Sequence, residues 1–155
     1  MLSEIVPAAL ERQTRLREQE GFVGKANILI VDDHELDRRL STLDLEDAGY
    51  TVYEAGDVSQ ALDLLGQRTF DAIVLDIVMP GTDGLTFLRG LKVSTKLASI
   101  PVVMLSSKDD MEDELQAMAG GAVRYIIKPS HRDILVQTVD SVLKDARKGH
   151  PSQGT

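Results

Sequence analysis

Five side chains in this sequence are suited to handling a charged oxygen ligand: the adjacent carboxylates Asp32 and Asp33, the carboxylate of Asp76, the hydroxyl of Ser106 and the ammonium of Lys128. Each follows a short apolar run, namely Ile28 to Val31, Ala72 to Leu75, Val102 to Leu105 and Val123 to Ile127. If those runs are neighbouring parallel strands, the five groups meet outside the carboxyl ends of one sheet, where open α/β sheets bind their ligands. Three crowded carboxylates repel one another, and a hard divalent cation with oxygen ligands relieves that repulsion; magnesium, which keeps part of its water, meets the demand. Asp33 and Asp76 are the expected ligands, with Asp32 acting directly or through water. A carboxylate can also serve as a nucleophile and form an acyl phosphate. Asp76, between the others in strand order, is the expected acceptor. Lys128 offers a flexible point charge to a phosphoryl oxygen, and the Ser106 hydroxyl can donate a hydrogen bond to another. Taken singly, each acid could be a helix cap and the lysine a surface charge. Five such residues at strand ends speak against that reading.

The elements that must position these groups follow from periodicity. From Asn27 onward short apolar runs alternate with amphipathic segments, the pattern of βαβ units and a parallel sheet. After the first strand, Leu36, Leu40 and Leu43 share one helical face before Gly49. Thr51 to Tyr53 reads as the second strand, and Asp57 with Gln60 starts a helix carrying Ala61, Leu62 and Leu65. The uniformly apolar third strand is expected to be buried on both faces. Pro80 to Gly84 makes a turn that offers Thr82 or Asp83 as cap for a helix bearing Leu85, Leu88 and Leu91, which Gly90 could shorten. Pro101 opens the fourth strand; Met111, Leu115 and Met118 line the next helix, and Gly120-Gly121 ends it. Ser130 and Asp133 cap a last helix whose Leu135, Val139, Val142 and Ala146 should pack on the sheet. The Leu and Met stripes are read as core.

Composition narrows the function classes. The 155 residues, 43% of them apolar, suit one domain with a sizeable core. No cysteine is present, which excludes disulfides and thiolate chemistry and fits a reducing, cytoplasmic setting. No apolar run approaches membrane-spanning length, and the N-terminus lacks the pattern of a secretory signal. A formal net charge of −8 argues against direct nucleic-acid binding by this domain. The expected organisation is a helical extension or linker over 1–26, one α/β domain over 27–148 and a flexible tail over 149–155.

Asp32-Asp33, the segment Asp76-Ile77-Val78-Met79-Pro80-Gly81-Thr82-Asp83-Gly84, Ser106-Ser107 and Lys128-Pro129 together resemble a bacterial two-component response regulator receiver domain of the chemotaxis-regulator kind. The resemblance runs from about Asn27 to Lys148. It implies a flavodoxin-like, doubly wound α/β fold with five parallel strands in the order 2-1-3-4-5 and helices on both faces. It further implies that Asp76 takes its phosphoryl group from a sensor histidine kinase or phosphotransfer protein. Magnesium would be held by Asp33, Asp76 and the Val78 backbone carbonyl, and Ser106 and Tyr125 would be a switch pair. Output would pass through the fourth helix, fifth strand and fifth helix to a downstream protein or an output domain, with a homodimer as an option. Arg124 and Ser130 depart from the pattern of the DNA-binding subfamily and weaken its typical dimer.

Two other classes compete, besides a module that keeps this fold but acts by binding alone, against which the intact acid, hydroxyl and lysine set argues. A flavodoxin-like cofactor binder would need a glycine-rich phosphate loop where Asp32-Asp33 stands. An aspartate-based phosphatase would need a second acid two residues after Asp76, where Val78 stands. The expected role is that of a signalling receiver, not an enzyme acting on a substrate.

Overall fold

The computed structural model describes residues 26–79, 81–107, 111–128 and 132–152. The elements alternate: β1 (Asn27–Val31), α1 (Glu35–Asp47), β2 (Thr51–Ala55), α2 (Val58–Gln67), β3 (Ala72–Asp76), α3 (Gly84–Val93), β4 (Val102–Ser106), α4 (Met111–Ala119), β5 (Arg124–Ile127) and α5 (Arg132–Ser152). The strands form one parallel sheet in the order β2-β1-β3-β4-β5, as the resemblance implied. The register pairs Val31 with Leu75, Asp76 with Leu105 and Ser106 with Ile127. The residues that end or follow these strands therefore lie along one edge.

Successive side chains on a strand point to opposite faces, so apolar strands feed two cores. Leu29, Val31, Ile73, Leu75, Val102 and Met104 pack with Leu65 of α2, Leu88 of α3 and Ala117 of α4. Ile28, Ile30, Val74, Val103 and Leu105 pack on the other side with Leu45 of α1 and Leu135, Val139 and Val142 of α5. β3 and β4 are buried along their whole length.

The helix starts follow local chemistry. Asp57 accepts from the Gln60 backbone N–H at 2.8 Å, and the Gln60 side chain reaches back to the Gly56 N–H at 2.7 Å. Asp83, of the two candidates, caps α3 through the Thr86 N–H at 2.8 Å. α1 is capped by His34, whose Nδ1 accepts from the Asp37 N–H. Gly90 does not shorten α3, which runs on to Val93.

The leucine stripe of α1 is corrected. Leu36, Leu40 and Leu43 are 62%, 52% and 51% exposed, whereas Thr42 and Leu45 are buried. The inward stripe is Arg38, Thr42 and Leu45, also at i, i+4 and i+7: Leu45 is fully buried in the core, and Arg38 is tethered to Glu54 and to the Asp32 carbonyl. Periodicity says which residues share a face; packing and tethers to the rest of the fold decide which face turns inward. On α4, similarly, Met111, Leu115 and Met118 are exposed and the small Ala117 carries the burial. On α5, Ala146 is exposed while Leu135, Val139 and Val142 are buried as expected. That helix also extends past the boundary expected at Lys148, to Ser152. The expected N-terminal helix, the Ser130 cap and residues 153–155 lie outside the described residues.

Candidate functional site

The site is assembled at the carboxyl edge of β1, β3 and β4 and just after β5. Asp32 follows β1 and is buried, its Oδ1 accepting from the His34 N–H at 2.9 Å. Its backbone is held on both sides, the N–H by the Ala55 carbonyl at 3.1 Å and the carbonyl by Arg38 Nη1 at 2.8 Å. Arg38 is itself oriented by Glu54, 2.9 Å from its Nε. Burial alone would raise the Glu54 carboxyl, but Arg39 and Arg38 hold it below its usual range. The ionised Glu54 thus anchors the arginine that fixes the loop carrying the acidic pair.

Asp76 ends β3 with 5% of its surface exposed, and its Oδ1 accepts weakly from the Val78 N–H at 3.3 Å. Burial pushes its carboxyl up to about 7, with Lys128 opposing the rise and Asp32 adding to it. One carboxylate oxygen from each of Asp32, Asp33 and Asp76 lies within 4.8 Å of the others. Two of these acids are buried and Asp33 is exposed, so the cluster opens to solvent on the Asp33 side.

Lys128 reaches into the cluster from the end of β5. Its Nζ lies 2.6 Å from Asp32 Oδ2, 3.2 Å from Asp37 Oδ2 and 3.7 Å from Asp76 Oδ2. Desolvation would lower the ammonium, but the surrounding carboxylates outweigh it and hold the lysine above its usual value. The Lys128 N–H donates to the Ser106 carbonyl at 2.6 Å, which fixes the end of β5 against β4. Ser106 is fully buried at the end of β4.

The loop after Asp76 depends on a close backbone approach. The Gly84 N–H donates to the Ile77 carbonyl at 2.7 Å. A Cβ on Gly84 would sit 2.1 Å from the Asp76 carbonyl oxygen and 2.8 Å from Ile77 Cα, closer than any side chain permits. Gly81 turns the same loop with φ at 85°. Val78 sits 45% exposed in this loop.

The structure thus brings Asp32, Asp33, Asp76 and Lys128 together and sets Ser106 on the same sheet edge. Tyr125 lies partly buried on β5, opposite Met104 in register, at the margin of a core layer. Sequence reasoning missed Asp37 and Arg38, and it read Gly84 only as a turn residue. Asp37 lies in the first turn of α1 whereas Asp33 precedes that helix, and nothing in the local spacing directs Asp37 to Lys128.

Comparison with known proteins identifies the family. The model of the response regulator receiver domain matches residues 28–140, a span that contains every site residue named above. The chain belongs to the response regulator receiver family. This receiver is 38% identical over 128 residues to the phosphate regulon transcriptional regulatory protein PhoB of Pseudomonas aeruginosa, covering 83% of the chain and 56% of that relative. It is 34% identical to protein PilH of the same organism, covering 76% of the chain and 98% of PilH. The chain spans about half the length of the first of these relatives and nearly all of the second. Among solved structures, the receiver resembles the chemotaxis protein CheY4 of Vibrio cholerae with a TM-score of 0.72 and 30% identity, over 77% of this chain and 99% of that one. NtrX from Brucella abortus matches with a TM-score of 0.78 and 31% identity, over 83% of this chain and 29% of that one. No helix among the described residues is long and apolar enough to cross a membrane.

Proposed function

We propose that this receiver accepts a phosphoryl group on Asp76 from a phosphohistidine of a sensor kinase or phosphotransfer protein. The observation that carries this reading is the buried Asp76 carboxylate, clustered with Asp32 and Asp33 and 3.7 Å from the Lys128 ammonium. An oxygen of Asp76 attacks phosphorus, the P–N bond breaks, and its electron pair returns to the imidazole of the donor. Ser106 and Lys128 then face the transferred oxygens, the hydroxyl by a hydrogen bond and the ammonium by charge.

The donor set of hard carboxylate oxygens fits magnesium, with Asp33, Asp76 and the Val78 carbonyl as ligands and Asp32 direct or through water. When bound, the cation offsets the negative charge of acceptor and incoming group together. The receiver assists its own phosphorylation and dephosphorylation without turning over an external substrate. The acyl phosphate biases a two-state equilibrium in which Ser106 moves toward the phosphoryl group and Tyr125 turns inward, changing the α4, β5 and α5 face. That face addresses a downstream protein, a homodimer partner or an output domain in the cytoplasm. It makes no direct nucleic-acid or membrane contact.

Intact mass after incubation with magnesium and acetyl phosphate tests the reading. The expected result is one added phosphoryl group on the wild type, absent from Asp76→Asn and absent in excess chelator. An adduct that persists in Asp76→Asn, or no adduct where a reference receiver reacts, would overturn it.

A further inference from the structure

The proposed transfer uses two of the three carboxylates around Lys128; the third, Asp37, has no part in it. Asp37 sits in the first turn of α1 with its Oδ2 3.2 Å from Nζ, nearer than Asp76 Oδ2 at 3.7 Å. An ammonium has three donors. In this arrangement Asp32 and Asp37 each accept one, while Asp76 lies beyond hydrogen-bond reach. The resting lysine is therefore bonded to the two neighbours of the acceptor and only electrostatically coupled to the acceptor itself.

The two bonds are not equivalent. The Asp32 side chain is 1% exposed, so releasing it would leave a buried charge without its partner. The Asp37 side chain is 40% exposed, and water can take the place of the ammonium there. A phosphoryl group arriving on Asp76 adds negative charge and three acceptor oxygens. The contact with Asp37 is the one that Lys128 can give up to meet them. Asp37 is also held in place: its backbone N–H is bonded to the His34 ring, and Arg38 beside it is pinned to Asp32 and Glu54.

Resting on the assignment of Asp76 as acceptor, we propose that Asp37 is a positioning residue that holds Lys128 away from Asp76 in the unphosphorylated protein and so slows loading of the acceptor. The nearby Asp44 lines the same cavity of about 360 Å³ beside Leu40, Leu105, Leu135 and Lys128. It forms no ion pair with Lys128 among the described residues. That makes it a charge control at the same place.

The experiment measures initial phosphorylation rates of the full chain with acetyl phosphate at saturating magnesium. Asp37→Asn is expected to load about two- to fivefold faster than wild type, the span supported by a half-exposed ion pair. Asp37→Glu, which keeps the carboxylate, should stay near the wild-type rate, and Asp44→Asn should leave it unchanged. In a Lys128→Ala background, Asp37→Asn should have no further effect, because its action runs through the lysine. The proposal is overturned if Asp37→Asn loads at or below the wild-type rate, if Asp44→Asn accelerates loading equally, or if the acceleration survives in Lys128→Ala. A wild type that forms no adduct would instead overturn the acceptor assignment.

Discussion

The acceptor carboxylate combines burial with negative neighbours, and both make its charged form costly in the absence of a cation. Its folded value of about 7 lies above the ordinary 3.8, so between these two values the folded chain keeps a proton that the unfolded chain has released. Stability from this group is therefore fully present below about pH 4, falls as pH rises toward 7 and levels off above. Asp76→Asn removes the penalty. It is expected to stabilise the chelated protein by on the order of 1–3 kcal/mol at pH 8, with the gain shrinking toward pH 4. Urea unfolding in chelator across that range checks it, and parallel pH profiles for the two proteins would contradict it. The identity of the acid at each strand end was plain in the sequence, whereas the second partner of Lys128 was not. Asp37 reads as an ordinary acid in a helical first turn until the end of β5 is folded against α1.

At the scale of elements, the loop from β3 to α3 carries the acceptor and relies on Gly84 lying against the backbone of Asp76 and Ile77. Gly84→Ala forces that backbone apart, since the clash is with main-chain atoms that cannot rotate away. The expected cost is on the order of 2–4 kcal/mol, and a variant that still folds should load with phosphoryl several-fold more slowly. Denaturant unfolding and timed intact-mass measurements read the two effects separately. α1 shows a different dependence. Its leucine stripe was visible as a periodic face, but the face turned inward carries Leu45, Thr42 and the tethered Arg38 instead. A pattern based on hydrophobicity gives no weight to an arginine held beneath a helix.

For the molecule as a whole, the sheet separates two cores, and the strands that build the site also hold the fold together. Ile73 of β3 is completely buried in one of these cores, while Leu43 of α1 is half exposed. Ile73→Ala is expected to cost about 2–5 kcal/mol through lost burial and the cavity left behind, and Leu43→Ala only about 0.5 kcal/mol or less. Chemical denaturation compares them, and similar losses would show that the outward leucines carry structural packing. Segments far apart in the chain meet beside the second core as well. Tyr50, after α1, donates to Asp140 of α5, and burial followed by that carboxylate raises the phenol well above its usual value.

By itself the sequence determined the order of strands and helices along the chain, because local periodicity, a cap at Asp57, a cap at either Thr82 or Asp83 and turns at Gly49 and Gly121 act within a few residues. It also determined which five residues stand at strand ends. Their type and place in the chain are local facts, and a parallel sheet must gather them at one edge. Only the tertiary structure decided which helical faces turn inward, how near each carboxylate comes to Lys128, and that Gly84 must lack a side chain. These depend on tethers and close approaches between segments far apart in the chain, such as Asp37 and Lys128, and no periodicity within one segment encodes a distance to another.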